Sequence, residues 1–220
     1  MTKPLAGQVA LVTGASRGFG FAAAKAMGTA GAHVVAVAKT VGGLEELDDA
    51  IKSEGGEAVL VPLDICDDAG LERMCAALHE RFGRADIWLH TACHAPPLSP
   101  AEHMDAKDLD KTIAVNIRAF QRAIRAIDPL LRLSKTPRAV IASDNRSGQK
   151  FFGPYAMSKA AQSAITQAWA AESGQTIKIT EFEPAPMPTA LRARFFPGED
   201  RTPLANPEDE AKRFLQLATA

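Results

Sequence analysis

No apolar stretch in this 220-residue chain reaches the ~20 residues that a membrane-crossing helix needs. Neither sign of charge dominates: 25 Lys and Arg stand against 26 Asp and Glu, a net charge of −1 with His neutral. A chain so balanced lacks the field that would hold nucleic acid or an anionic membrane surface. Cysteine is scarce. Cys66, Cys75 and Cys93 are odd in number and irregular in spacing, which fits free thiols in a reducing compartment. The opening residues, Met1 to Gly7, carry no apolar run of signal-peptide length, so the expected location is the cytoplasm. No repeat, low-complexity tract or linker interrupts the sequence. One domain over residues 1–220 is expected.

Tyrosine is the scarcest residue type of all, and the single one present stands in a telling place. Gly153-Pro154-Tyr155-Ala156-Met157-Ser158-Lys159 opens a helical stretch. Residues four apart stack on one helix face, which sets the Lys159 ammonium beside the Tyr155 phenol. A fixed cation favours phenolate and is expected to lower the phenol pKa from its usual ~10, making an acid/base group. On spacing alone, an exposed helix turn with an unremarkable aromatic fits equally well.

The rest of the chain argues for chemistry. Gln8 to Thr13 is a short apolar run suited to a strand buried on both faces. Gly14-Ala15-Ser16-Arg17-Gly18-Phe19-Gly20 follows at once, then a helix from Phe21. Strand, glycine turn and helix N-terminus in succession form a place for phosphate, although the spacing is G-x-x-x-G-x-G rather than G-x-G-x-x-G. His33 to Lys39 is a second strand. It ends on Lys39, where a site selecting NAD often carries a carboxylate for the ribose hydroxyl. With Arg17 nearby, two cations suit a 2′-phosphate, hence NADP, although a solvated strand end is the bland account of Lys39.

Further strands are expected at Ala58–Leu63, Asp86–Ala92, Arg138–Ser143 and Ile177–Phe182. Helices are expected from Glu45 to Glu54, from Asp67 to Phe82 and as one long run over Asp105–Leu133, with Asn116 an awkward helix former in its middle. Strands alternating with helices imply an α/β fold: a doubly wound Rossmann-type parallel sheet, order 3-2-1-4-5-6, helices on both faces. Ligand then binds at the carboxyl ends of the first and fourth strands, where the glycine turn and Ala92 both fall.

With these motifs in this order the chain resembles the short-chain dehydrogenase/reductase family over about Leu5 to Ala193. Thr13 to Gly20 resembles its TGxxxGxG cofactor turn, Tyr155 and Lys159 its YxxxK pair, and Asn116 its helical Asn. Asp64 stands where the family places an acid near the adenine. The resemblance implies an NAD(P)-dependent enzyme in which hydride passes directly between nicotinamide and a carbonyl or carbinol carbon. It implies that Tyr155 exchanges the proton and that Lys159 tunes it and holds the nicotinamide ribose. A Ser would fix the substrate oxygen, and Asn116 would anchor a water relay. The cofactor contacts it implies are Gly14, Ser16, Arg17, Gly18, Phe19, Gly20, Lys39, Asp64, Ala92, Tyr155, Lys159, Pro184 and Thr189. Four departures stand out. NNAG reads His90-Thr91-Ala92-Cys93, the PG after the sixth strand reads Pro184-Ala185, and the chain ends at Ala220, short of a seventh strand. The position thirteen before the tyrosine is Ala142, with Ser143 one residue late. Ser143 is expected to complete the site across a loop one residue shorter; the alternative is that no Ser does.

His90, Cys93 and His94 lack a fourth ligand of evident spacing, so no metal site is expected. Phe151-Phe152 and Phe195-Phe196 are expected to wall an apolar pocket, and Arg146 and Lys150 to be solvated. The leading expectation is an NADP-preferring oxidoreductase on a small carbonyl or alcohol, a homodimer or homotetramer through the helices after the fourth and fifth strands. The rival is a protein that binds NAD(P) as a sensor without turnover.

Overall fold

Each apolar run becomes a strand of one sheet, the inner ones largely buried on both faces and the two edge ones partly exposed. In the computed structural model, which describes residues 3–219, the strands are β1 (Val9–Thr13), β2 (His33–Ala38), β3 (Ala58–Pro62), β4 (Ile87–His90), β5 (Arg138–Ala142) and β6 (Lys178–Phe182). Every pairing is parallel and the order is β3-β2-β1-β4-β5-β6, as expected. The order reverses between β1 and β4, and a crevice opens at their carboxyl ends.

The helices are α1 (Gly18–Thr29), α2 (Val41–Ser53), α3 (Asp68–Phe82), α4 (Ala106–Thr112), α5 (Ala119–Leu131), α6 (Gly153–Ser173), α7 (Ala190–Phe195) and α8 (Pro207–Thr219). Alternation along β2 sorts its side chains between two cores. Val34 and Ala36 join Met27, Leu47 and Phe214 on one face; Val35 and Val37 join Trp88, Phe120 and Trp169 on the other. Asp67 caps α3 by accepting from the Gly70 N–H at 3.0 Å, and Gly83 closes that helix at φ 74°.

Helix α7 has no counterpart among the expectations, and three other elements differ from them. The helix over 105–133 is not uniform: α4 widens into a π turn at Ile113–Arg118 before α5 begins. Asn116 lies in that turn, fully buried, where its side chain bonds to a different segment. Helix α2 starts at Val41, ahead of Glu45, with Thr40 at its N-cap, and Gly43 in its first turn packs on the glycine turn. A Cβ there would lie 2.6 Å from the Ser16 carbonyl oxygen. Helix α8, absent from the expectations, lays Phe214 edge-on against Phe19 and Phe182 and covers α1.

Candidate active site

The glycine turn owes two of its glycines to the chain's own packing. A Cβ on Gly14 would sit 2.5 Å from the Ala92 nitrogen, and one on Gly20 would sit 2.4 Å from the Gly14 oxygen. Gly18 is different. Its φ of 59° is left-handed, and its face is open except for Thr189, whose Cγ2 lies 3.3 Å from an added Cβ. Arg17, exposed, stands at the N-cap of α1 in extended backbone with no side-chain cap bond. The first turn of α1 therefore keeps its N–H groups for an anion, and a dinucleotide pyrophosphate fits there. The Phe19 ring turns the other way, stacked on Phe182 at 5.2 Å, so only its backbone faces the turn. Ser16 is half-buried.

Lys39 follows β2, exposed, with Nζ 2.8 Å from Asp64 Oδ2. Asp64 also accepts from the Cys66 N–H at 3.0 Å. Burial opposes ionisation of Asp64, yet the bonds from Lys39 and Cys66 outweigh it and hold the carboxyl below its ordinary range. The structure thus brings the two expected nucleotide contacts, Lys39 and Asp64, onto each other.

At β4 the His-Thr pair keeps the chain together. His90 is buried, Nδ1 2.8 Å from Thr13 Oγ1, and burial, with the Lys159 charge, pulls its pKa down to about 3. The Thr91 hydroxyl donates to the Thr13 oxygen at 3.0 Å and closes the β1–β4 end. Asn116 then grips the loop that follows. Its Oδ1 accepts from the His94 N–H at 2.7 Å, and its Nδ2 donates to the His94 oxygen and to Ser158 Oγ, each at 2.9 Å. Both amide protons are committed, so the side chain ties β4 to α6. Among the described residues no three His, Cys, Asp or Glu groups gather as a metal site.

Tyr155 and Lys159 rise from the first turns of α6, where Pro154 tolerates the missing N–H. The phenol is 2 % exposed. Its hydroxyl donates to Asp144 Oδ2 at 3.0 Å, not to Ser143. The Ser143 N–H bonds the Phe182 oxygen at 2.9 Å, which continues the β5–β6 ladder one residue past β5. Lys159 Nζ donates to the Ala142 oxygen at 2.9 Å and to Gln162 Oε1 at 3.0 Å. The expected lowering of the phenol pKa is overturned: burial first, then Cys93 and Asp144, push it well above the usual value. Cys93 packs beside the ring, its own thiol pKa raised by burial.

Arg146, expected to be solvated, sits 2.7 Å from Asp144 Oδ1 with its side chain only 20 % exposed, its guanidinium over the Phe152 ring. Lys150 and Phe151 are exposed. Phe152, Phe195 and Phe196 form an apolar wall, with the Phe195 ring 4.8 Å from that of Tyr155; Phe151, expected in it, is exposed instead. The wall closes over the phenol, which is buried in this structure. Thr189 caps α7, its Oγ1 accepting from the Arg192 N–H at 3.2 Å, which leaves its O–H free to donate. Pro184 is half-buried just past β6, where the next N–H, of Ala185, donates to Glu210 Oε2 at 2.9 Å. A cavity of about 540 Å³ lies between α1, the start of α7 and the start of α8, bordered by Gly18, Lys25, Thr189 and Glu208; Tyr155 does not line it.

Sequence reasoning missed Asp144, Ser158 and Gln162. The helical spacing from Tyr155 offered a signal for the last two. Asp144 lies in a loop without periodicity and offered none.

Comparison with known proteins agrees with this geometry. The family model for short chain dehydrogenase matches residues 8–200. The glycine betaine reductase ATRR of Emericella nidulans is 30% identical over 192 residues, 86% of this chain, but this chain spans only 15% of that protein. The oxidoreductase YciK of Escherichia coli is 28% identical over 215 residues, 96% of this chain and 85% of YciK. Its solved structure superposes with a TM-score of 0.94 over 99% of this chain and 91% of that one. A metagenomic short-chain oxidoreductase in complex with NADP, 28% identical, covers 99% of this chain and 93% of its own at a TM-score of 0.84. Fold, crevice and relatives agree: the chain belongs to the short-chain dehydrogenase/reductase family of oxidoreductases.

Proposed function

We propose that this protein is an NADP(H)-preferring oxidoreductase that interconverts a carbonyl and an alcohol, with Tyr155 as the acid/base. The observation that carries the reading is the shared crevice. The uncapped N-terminus of α1 and the Tyr155–Lys159 face of α6 open on the same end of the sheet. When bound, the nicotinamide nucleotide supplies or accepts the hydride. The protein does the rest. Tyr155 exchanges the proton at the substrate oxygen inside an apolar wall that excludes water. Lys159, anchored by the Ala142 oxygen and Gln162, offers its remaining proton to the nicotinamide ribose. Asn116 holds the loop bearing Ala92 and Cys93 in place, and Ser143 stands aside. Arg17 and Lys39 meet the 2′-phosphate, Lys39 exchanging Asp64 for it. The NADP complex of the metagenomic relative supports that choice.

A second reading, an NAD(P) sensor, is favoured by one observation: the phenol's proton is already taken by Asp144 behind a closed wall. The experiment that separates the two incubates the protein with NADPH and a panel of aldehydes and ketones, and with NADP⁺ and the matching alcohols. Oxidation or reduction of the nucleotide supports the enzyme. Saturable nucleotide binding with no turnover of any member supports the sensor.

The working form is a homo-oligomer of cytoplasmic location. The solvent face of α6 presents Met157, Ala160, Ala164 and Ala168, a flat surface for a second copy. Light scattering at micromolar concentration checks it, and a monomeric mass overturns it.

A further inference from the structure

Where the resemblance leads one to expect a serine hydroxyl, this site offers a carboxylate. The Tyr155 hydroxyl donates to Asp144 Oδ2 at 3.0 Å, and Arg146 holds the other oxygen at 2.7 Å. The Asp144 side chain is 23% exposed, so it touches the buried phenol on one side and solvent on the other. No other group in the site makes that bridge. Both side-chain amide protons of Asn116 are committed, to His94 and Ser158, and Lys159 is anchored to Ala142 and Gln162. We propose that Asp144 is the proton acceptor of the site, taking the phenolic proton of Tyr155 as an alcohol gives its own proton to the phenol oxygen.

This rests on the oxidoreductase reading and extends it. With its proton pointed at Asp144, the phenol oxygen presents lone pairs, which receive a hydroxyl donor rather than a carbonyl acceptor. The resting site is therefore set for an alcohol. In that direction the carbinol O–H bond breaks and its proton moves to the Tyr155 oxygen. The original phenolic proton moves to Asp144 Oδ2, and the carbinol hydrogen leaves with its electron pair to NADP⁺. The products are a carbonyl compound, NADPH and a protonated Asp144, which releases its proton to solvent. Arg146 pairs with Oδ1 of the carboxylate and leaves Oδ2 to the phenol. The titratable and charged groups facing the phenol are Asp144 and Arg146 from the loop after β5 and Cys93 from the loop after β4.

Asp144→Asn keeps the shape and a hydrogen-bond acceptor but removes the charge and the proton-accepting power. In NADP⁺-linked oxidation of benzyl alcohol and a panel of secondary alcohols, Asp144→Asn is expected to lower kcat about a hundredfold, with KM and NADP⁺ affinity little changed. Asp144→Ala is expected to fall as far and to regain about tenfold on addition of formate, a small carboxylate that replaces the lost acceptor. Full turnover in Asp144→Asn while Tyr155→Phe is inactive, or an Asp144→Ala protein that regains nothing with formate, overturns the proposal and leaves the oxidoreductase reading intact. If the unaltered protein turns over no alcohol and no carbonyl, that reading falls and the proposal falls with it.

Discussion

Asn116 holds His94 by both of its backbone groups, accepting from the N–H at 2.7 Å and donating to the carbonyl oxygen at 2.9 Å. The π turn carries a residue whose intrinsic helix preference is poor because the amide serves another segment, and that segment bears Ala92 and Cys93.

Asn116→Ala is accordingly expected to cost about 2–4 kcal/mol, since it strands the buried partners of three hydrogen bonds. For a chain of this size that lowers Tm by about 6–12 °C in a thermal melt. NADPH affinity is expected to weaken with it as the β4 loop loosens.

The acid limit of stability follows from His90. Its folded pKa of about 3 lies below the ordinary 6.5, so the unfolded chain takes the proton first. Stability is complete above pH ~6.5 and drains as pH falls toward the folded value, by at most about 1.4 kcal/mol per unit from this one group. His90→Asn removes that dependence. Urea unfolding of the two proteins between neutral and mildly acidic pH measures it, and equal slopes discount the buried imidazole.

Cofactor choice turns on Lys39. Freed from Asp64 by a competing 2′-phosphate, it is expected with Arg17 to make NADPH bind more tightly than NADH. Lys39→Asp sets two carboxylates against that phosphate and is expected to remove about 1–3 kcal/mol of the preference. Fluorescence titration with both nucleotides checks this, and equal affinities in the unaltered protein contradict it.

Ser143 is expected to matter little. Its N–H stays in the β5–β6 ladder and the phenol's partner is Asp144, so Ser143→Ala is expected to change kcat by less than about threefold. A loss of tenfold or more in steady-state turnover returns Ser143 to the site and places the strand register in error.

The elements and their order were legible because buried parallel strands read as apolar runs: Val9 to Thr13 and His33 to Ala38 announce themselves by composition. Tyr155, Lys159 and Gly18 were legible because helix spacing and the strand–glycine–helix succession are local patterns. What escaped is non-local. The raised pKa of Tyr155 comes from burial under Phe195 and from Asp144 across a loop, and no sequence interval encodes either contact. The break between α4 and α5 escaped for the same reason. The apolar period continues through Ile113 and Ile117, while the π turn answers to a bond between Asn116 and a loop that begins at β4.

The central claim is that Tyr155 exchanges the substrate's proton. It is tested most directly by Tyr155→Phe, measured for nucleotide-linked turnover of the best substrate in the panel and for NADPH affinity in the same preparation. The account predicts a loss of turnover of about a hundredfold or more with affinity held within about twofold. Turnover undiminished in Tyr155→Phe would contradict it.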